Sequence, residues 1–360
     1  MSSQRAIPCC LMRGGTSKGP FFLASDLPED IALRDKVLLA AMGSPDARQI
    51  DGLGGAHPLT SKVGIVKKSS APSVDLEFLF AQLQPNGDKV DTTPNCGNML
   101  AAVVPFALER GLVKASGETS TFRVLTLNTD MLCDITVQTP GGIVEYAGDT
   151  AIDGAPGTAA PVKINFLDTA GSVCSGLLPT GKVRDTICGI DVTCIDNGMP
   201  MVLMNAASMG VTGCETAAEL NQNERLKKAL EELRLAASLE MGLGDTTEKS
   251  YPKMCLISAP QQGGTLNTRC FIPHVCHEAV GVLGAVTIAT ACVMPGSIAD
   301  GIARIGQGLS QNISVEHPSG EFTIEMTLDE AGNVTAASLL RTARLLMQGE
   351  VMVPLSLFTQ

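Results

Sequence analysis

Cys96-Gly-Asn-Met-Leu-Ala-Ala-Val-Val-Pro-Phe-Ala-Leu108 decides the fold, because the chain echoes it in Cys276-His-Glu-Ala-Val-Gly-Val-Leu-Gly-Ala-Val-Thr-Ile288. The offset is 276 − 96 = 180 residues, half of the 360-residue chain. A surface helix carries an apolar stripe, whereas both stretches are apolar nearly all round, the pattern of a helix surrounded by protein. A second, weaker echo runs in the same order. Gly52-Leu-Gly-Gly-Ala-His-Pro-Leu-Thr-Ser-Lys62-Val-Gly-Ile-Val66 is answered by Gly242-Leu-Gly-Asp-Thr-Thr-Glu-Lys-Ser-Tyr-Pro-Lys253-Met-Cys-Leu-Ile257, each a glycine-rich turn ending in a lysine that leads into an apolar strand. Repeated units at similar offsets point to a duplicated architecture.

Working outward, short β-like runs ended by Gly, Pro, Asn or Asp occur at Phe122–Leu127, Ile143–Tyr146, Val192–Ile195, Met201–Met204 and Phe322–Leu328. Asn223–Met241, with alternating charges and leucines, is the clearest exposed amphipathic helix. These elements predict an α+β protein of two similar lobes, each a curled sheet or barrel around one central buried helix. The lobes are expected at 1–185 and 186–360, with Pro179, Gly181 and Gly189 marking the junction and the C-terminal strand returning to the first lobe. A single large α/β domain is the alternative.

Composition narrows the function. A net charge of −11, a basic minority of 26 Lys and Arg, no Trp and two Tyr exclude a phosphate-gripping or base-stacking nucleic-acid surface. The longest mainly apolar stretch, Ala279 to Met294, is broken by Gly281 and Gly284 and is shorter than the roughly 20 residues of a membrane span. Twelve scattered cysteines, no C-x-x-C pair and no apolar leader read as reduced thiols in a cytoplasm. His57, His274, His277 and His317 show no metal-ligand spacing, so no metal is expected. An anionic ligand then needs a local cluster of donors.

Four places offer candidates. Met12-Arg-Gly-Gly-Thr-Ser-Lys-Gly19 packs two glycines, two hydroxyls and two cations into a loop suited to an anion, or to a tight turn with solvated charges. Pro94 and Asn95 mark a helix start, which sets Cys96 beside the amides of Gly97, Asn98 and Met99. A thiol so placed is suited to proton transfer, while the common fate of cysteine is burial as packing. Lys62, after Thr60-Ser61 and before an apolar strand, is a base candidate or an ordinary strand-end charge. In the second half, Arg269 is placed to clamp a carboxylate, with Cys276 or His277 close behind it; a strand-end charge and packing histidines are the plain alternative. His317 belongs to a turn.

These motifs together resemble the methylaconitate/aconitate isomerase family. Met12-Arg-Gly-Gly-Thr-Ser-Lys-Gly19, Asp51-Gly-Leu-Gly-Gly55, Leu59-Thr-Ser-Lys62 and Asn95-Cys-Gly-Asn98 carry the resemblance in the first half. Asp196-Asn-Gly-Met-Pro200, Met241-Gly-Leu-Gly244, Ile272-Pro-His274 and Glu316-His-Pro-Ser-Gly320 carry it in the second. Within the family the chain looks most like the 4-oxalomesaconate tautomerases and isomerases of bacterial gallate and protocatechuate breakdown, although Thr92-Thr-Pro-Asn-Cys96 looks more like the aconitate-type or uncharacterised members.

The resemblance implies a diaminopimelate-epimerase-like fold and an isomerase that uses no cofactor. It implies Lys62 and Cys96 as the acid/base pair. Substrate binding would fall to Arg13, Thr16, Ser17, Lys18, Ser61, Gly97, Asn98, Met99, Arg269, Cys276 and His277. In the epimerases a second cysteine opens the second-lobe helix and an arginine shortly before it holds a carboxylate; Cys276 and Arg269 stand in those places. The expected partner is a small polycarboxylate, with no nucleic acid and no membrane, and a homodimer is compatible with the sequence. Competing readings are an aconitate or methylaconitate isomerase of the same fold, a hydrolase pairing Cys96 with His274 or His277, and a non-catalytic polycarboxylate-binding protein.

Overall fold

The computed structural model describes residues 3–167 and 169–358. The chain divides into two compact units: Met1–Leu167 with Arg341–Gln360, and Asp168–Leu340. The sequence punctuation places a boundary near 180–190; the division falls earlier because the loop at 170–178 is bonded to Asp196, well inside the second unit. Asp196 accepts from the Ser172 hydroxyl and from the amides of Val173 and Cys174, and its own amide donates to Leu177.

Unit 1 contains β1 (Gln4–Gly14), β2 (Ser17–Leu23), α1 (Ile31–Met42), β3 (Lys62–Lys68), β4 (Leu76–Leu83), β5 (Val90–Asp91), α2 (Gly97–Leu100), α3 (Val103–Glu109), β6 (Thr119–Thr126), β7 (Met131–Gln138) and β8 (Pro161–Phe166). Its strands lie in the order β1-β2-β3-β4-β6-β7-β8, with β5 on β4. Pairing is antiparallel for β1/β2, β3/β4, β6/β7 and β7/β8, and parallel for β2/β3 and β4/β6.

Unit 2 contains β9 (Asp185–Ile187), β10 (Ile190–Asp196), β11 (Pro200–Asn205), α4 (Ala217–Gln222), α5 (Glu224–Glu240), β12 (Lys253–Ser258), β13 (Leu266–Phe271), α6 (Val282–Cys292), β14 (Ser310–His317), β15 (Gly320–Leu328) and the start of β16 (Val334–Pro354). From β10 to β16 the pairing repeats the unit 1 sequence of directions: antiparallel, parallel, antiparallel, parallel, antiparallel, antiparallel. The duplication is therefore written in strand topology. Lys62 and Lys253 each begin the strand that runs parallel to its predecessor. The end of β16 returns to unit 1 and pairs antiparallel with β1, and β16 also neighbours β8, so the strand order β1 to β8 of unit 1 closes on itself through β16.

In each unit the sheet is covered on both faces. Val103 to Ala107 of α3, and every residue of α6 from Gly284 to Cys292, are buried. On the other face of the unit 1 sheet, α1 sets Val37, Leu38, Ala41 and Met42 against Phe22, Val63 and Ala81. In unit 2, Leu226, Leu230, Leu233 and Ala237 form one stripe of α5 over Val192, Val202, Met204 and Leu256. Each such leucine contributes about 1.5–3 kcal/mol on burial. Arg234, fully buried on α5, pairs with Glu231 and donates to the carbonyls of Thr246 and Tyr251, tying down the loop that delivers Lys253.

Three elements depart from the sequence reading. The apolar run after Cys96 is two short helices, because Pro105 has no N–H to donate to Ala101 and the chain turns at Ala101–Ala102. The second buried helix starts after Gly281 rather than at Cys276, which forms an isolated bridge with Phe271. Ile143–Tyr146 is not a strand: Gly141 and Gly142 take φ values of 64° and 84°, which turn the chain out of the ladder after β7.

Candidate active site

Lys62 opens β3 with only 8% of its surface exposed, and its ammonium reaches two groups. Nζ donates to Gln82 Oε1 at 2.8 Å and lies 3.6 Å from Cys96 Sγ. Gln82 sits directly across the β3/β4 ladder from Lys62. Its Nε2 donates to the carbonyls of Pro58, Ser61 and Leu83, which leaves Oε1 turned toward the lysine. The ammonium also stands 5.0 Å from the centroid of the Phe80 ring. Gly19 permits this approach of β2, since a Cβ there would fall 1.7 Å from the Lys62 carbonyl oxygen.

Cys96 is the half-buried N-cap of α2, with extended backbone and its carbonyl accepting from Leu100 N at 2.9 Å. The amides of Gly97, Asn98 and Met99 precede that first closing bond and have no acceptor within the turn. Two buried side-chain atoms nearby also lack partners among the described residues. Asn95 gives its Nδ2 to Thr126 and Thr129 and leaves Oδ1 unpaired. The Ser17 hydroxyl, on a residue 1% exposed, is likewise unpaired. Buried polar atoms without partners are rare enough in folded proteins to mark places where a ligand or water completes the bonding.

The glycine-rich loop is explained by Asn98. Its Nδ2 donates to Thr16 Oγ1 at 3.0 Å and its Oδ1 accepts from Arg341 Nε at 3.1 Å. A Cβ on Gly14 would lie 2.3 Å from the Asn98 carbonyl oxygen, and one on Gly15 2.1 Å from Oδ1. The β1/β2 turn is thus pressed onto the residue two places after Cys96. Thr16 and Asn98 hold this junction together, and the Met99 side chain is fully buried in the core. Ser61 donates to Gln49 Oε1 and to the His57 carbonyl, so its hydroxyl braces the loop that leads into Lys62.

Arg13 and Lys18 lie elsewhere. They face one another across the β1/β2 ladder, while their neighbours Gly14 and Gly19 point toward Asn98 and Lys62. Because successive strand residues alternate in direction, both cations project from the opposite face of the sheet.

In unit 2, Arg269 is 8% exposed and two of its three guanidinium nitrogens are engaged locally: Nε with the Glu215 carbonyl, Nη1 with Asn267 Oδ1 and the Thr268 carbonyl. Cys276 is buried, its amide and carbonyl held by Asn221, and burial pushes its thiol up to about 12. His277 is exposed, with its amide on the Cys270 carbonyl; desolvation, then the Lys253 charge, push its imidazole below the usual range. His274 is exposed and lies 3.5 Å from Glu231.

Lys253 is the group the motif reading passed over. Desolvation holds its ammonium below the usual lysine range, and no hydrogen bond or ion pair joins it to another described residue. It faces the start of α6, where a Cβ on Gly281 would lie 4.0 Å from Nζ. The lysine echo of the sequence contained the signal; only the strand topology shows that the two lysines are equivalent. Gln82 carries no motif of its own and meets Lys62 only through the β3/β4 register.

The PrpF protein family model matches residues 4–354. The chain belongs to this family. It is 55% identical over 350 residues, 97% of each chain, to the 4-oxalomesaconate tautomerase of Pseudomonas putida. It is 54% identical over 346 residues to the (4E)-oxalomesaconate Delta-isomerase of Novosphingobium, covering 96% of this chain and 97% of the relative. The crystal structure of methylitaconate-delta-isomerase superposes with a TM-score of 0.86 at 35% identity, covering 99% of this chain and 97% of that one. This PrpF family member is an isomerase, with the two-lobed α+β fold that the buried-helix repeat implied. No helix among its described residues is long and apolar enough to cross a membrane.

A prediction separates the two cysteines at which the apolar runs were expected to begin. With its thiol near 12, Cys276 is protonated throughout the pH range of ordinary assays and is no thiolate base. Cys276→Ser is expected to keep turnover within about threefold and to leave the pH–rate profile unshifted, because no essential titration is removed. A displaced profile in that variant would assign Cys276 a role in proton transfer.

Proposed function

We propose that this chain interconverts tautomers or double-bond isomers of 4-oxalomesaconate, using Lys62 and Cys96 and no metal or organic cofactor, in cytoplasmic breakdown of aromatic acids such as gallate or protocatechuate. The observation that carries the reading is the 3.6 Å contact between Lys62 Nζ and Cys96 Sγ, set in a chain 55% identical to a tautomerase of that acid. A C–H bond beside a carbonyl or an unsaturated acid loses its proton to a base, and the charge spreads into a dienolate. Adjacent proton carriers serve the two ends of such an allylic system: one removes the proton and the other delivers one two carbons away. The contact between them then lets a proton pass from one to the other, which restores the starting pair.

The amides opening α2 and the unpaired Ser17 hydroxyl supply donors for the dienolate oxygen and for carboxylates. The unpaired Asn95 Oδ1 accepts from an enol hydroxyl.

Direct comparison of substrates tests the assignment. Purified enzyme offered 4-oxalomesaconate and trans-aconitate in parallel should turn over the first at least about a hundredfold faster in kcat/KM, a difference of roughly 2.7 kcal/mol in transition-state binding. Faster turnover of trans-aconitate would move the chain to the aconitate branch of the family.

A further inference from the structure

The face of the unit 1 sheet opposite Lys62 carries a separate cluster of charge. Strand pairing sets Lys18 beside Arg13, and Arg13 beside Arg344. Directly paired residues project to the same face, so the three cations form a row across β2, β1 and β16. Two inter-strand steps make that row roughly 10 Å long. All three line a cavity of about 510 Å³ whose wall takes in Thr16 and Ser17 of the β1/β2 turn and continues through Tyr146 and Thr158.

Nothing acidic lines this cavity, and no ion pair engages Arg13, Lys18 or Arg344 among the described residues. A carboxylate lies behind the wall, where Glu109 accepts from the Tyr146 hydroxyl. Arg13 uses Nη1 to hold the carbonyls of Gly15 and Thr342 and the Thr342 hydroxyl. Desolvation, then the nearby Arg344 charge, press its guanidinium below the usual range. Like charges on directly opposed strand positions destabilise a sheet. A chain of net charge −11 has many carboxylates with which to relieve such a row, and sets none of them in this cavity.

We propose that this outer-face cavity, which adjoins the isomerase centre through the β1/β2 turn but contains neither Lys62 nor Cys96, is a second anion site for a small molecule carrying two or more acid groups. The length of the cation row fits a di- or tricarboxylate or a pyrophosphate, and the hydroxyl of Thr158 adds a neutral contact. The proposal does not depend on which acid the enzyme isomerises.

Isothermal titration calorimetry at low ionic strength tests it, with citrate and inorganic pyrophosphate as separate probes. Wild type, Arg344→Glu and Lys18→Gln are compared, with thermal melts to confirm that each variant is folded. Arg344 is exposed and outside the catalytic machinery, so Arg344→Glu should retain isomerase turnover within about twofold. At least one probe should bind wild type at a site that Arg344→Glu weakens by roughly 10- to 100-fold, the loss of a charge-assisted contact. Loss of citrate alone identifies a carboxylate ligand, and loss of pyrophosphate alone a phosphate ligand. If neither probe loses a site in folded Arg344→Glu, or neither binds wild type, the proposal is overturned.

Discussion

Lys62→Met is expected to lower turnover by roughly 10²- to 10⁴-fold, the usual contribution of a positioned acid or base. Methionine approximates the length of the lysine stem and suits a residue that is 8% exposed against the Phe80 ring, so the fold should survive. What disappears is the group bonded to Gln82 Oε1 and in contact with Cys96 Sγ. Lys62→Arg should not rescue activity. A guanidinium stays charged at any working pH and cannot exchange protons, and its planar fork does not fit a pocket shaped for one nitrogen. Steady-state kinetics with melting curves check both variants; near-normal kcat in folded Lys62→Met would remove lysine from the chemistry.

Cys96→Ser should be nearly as damaging, at roughly 10²-fold or more in kcat. Serine preserves the N-cap geometry of α2 and favours that position, so stability should hold or rise slightly. Its hydroxyl, however, ionises far above the range in which a thiol trades protons with an amine. The same variant separates isomerisation from a cysteine hydrolase. Cys96 has the Lys62 ammonium as its side-chain partner, an arrangement for passing protons rather than for an imidazole-activated nucleophile. Mass spectrometry of wild-type enzyme quenched during turnover should therefore show no mass added at Cys96. A trapped covalent adduct there would favour the hydrolase reading.

Much of this was legible in the sequence because two physical signals are local. An apolar run with no polar face has to be surrounded, and a repeat of such runs implies two enclosed helices. The amphipathic stretch at Asn223–Met241 corresponds to α5 with its flanking caps, since a leucine stripe, an asparagine cap and charged partners all lie within one segment. The family resemblance likewise implies a pairing of Lys62 with Cys96, which the 3.6 Å contact matches in position. Pro105 and Gly281 limited the reading of the helices: one proline divides the first buried run, and the second helix waits for a glycine cap five residues after Cys276.

The remainder depended on register, which no single segment encodes. Gln82 meets Lys62 only through the β3/β4 ladder, and Arg13 and Lys18 turn away from Lys62 only through the pleat of β1 and β2. A glycine-rich loop with two cations reads as an anion cradle from its composition. Its glycines instead admit Asn98, and its cations face outward beside Arg344. Lys253 was visible as an echo of Lys62, but its unpaired, desolvated state is a property of packing.

Proton NMR in deuterated buffer addresses the central claim most directly. 4-Oxalomesaconate is incubated with wild type, Lys62→Met and Cys96→Ser, and solvent deuterium is followed at the two carbons that end the allylic system. Wild type is expected to isomerise the acid with deuterium incorporation, and each folded variant to lose both. Isomerisation by either variant at the wild-type rate, or turnover by wild type with no deuterium at either carbon over many cycles, would contradict a proton shift carried by Lys62 and Cys96.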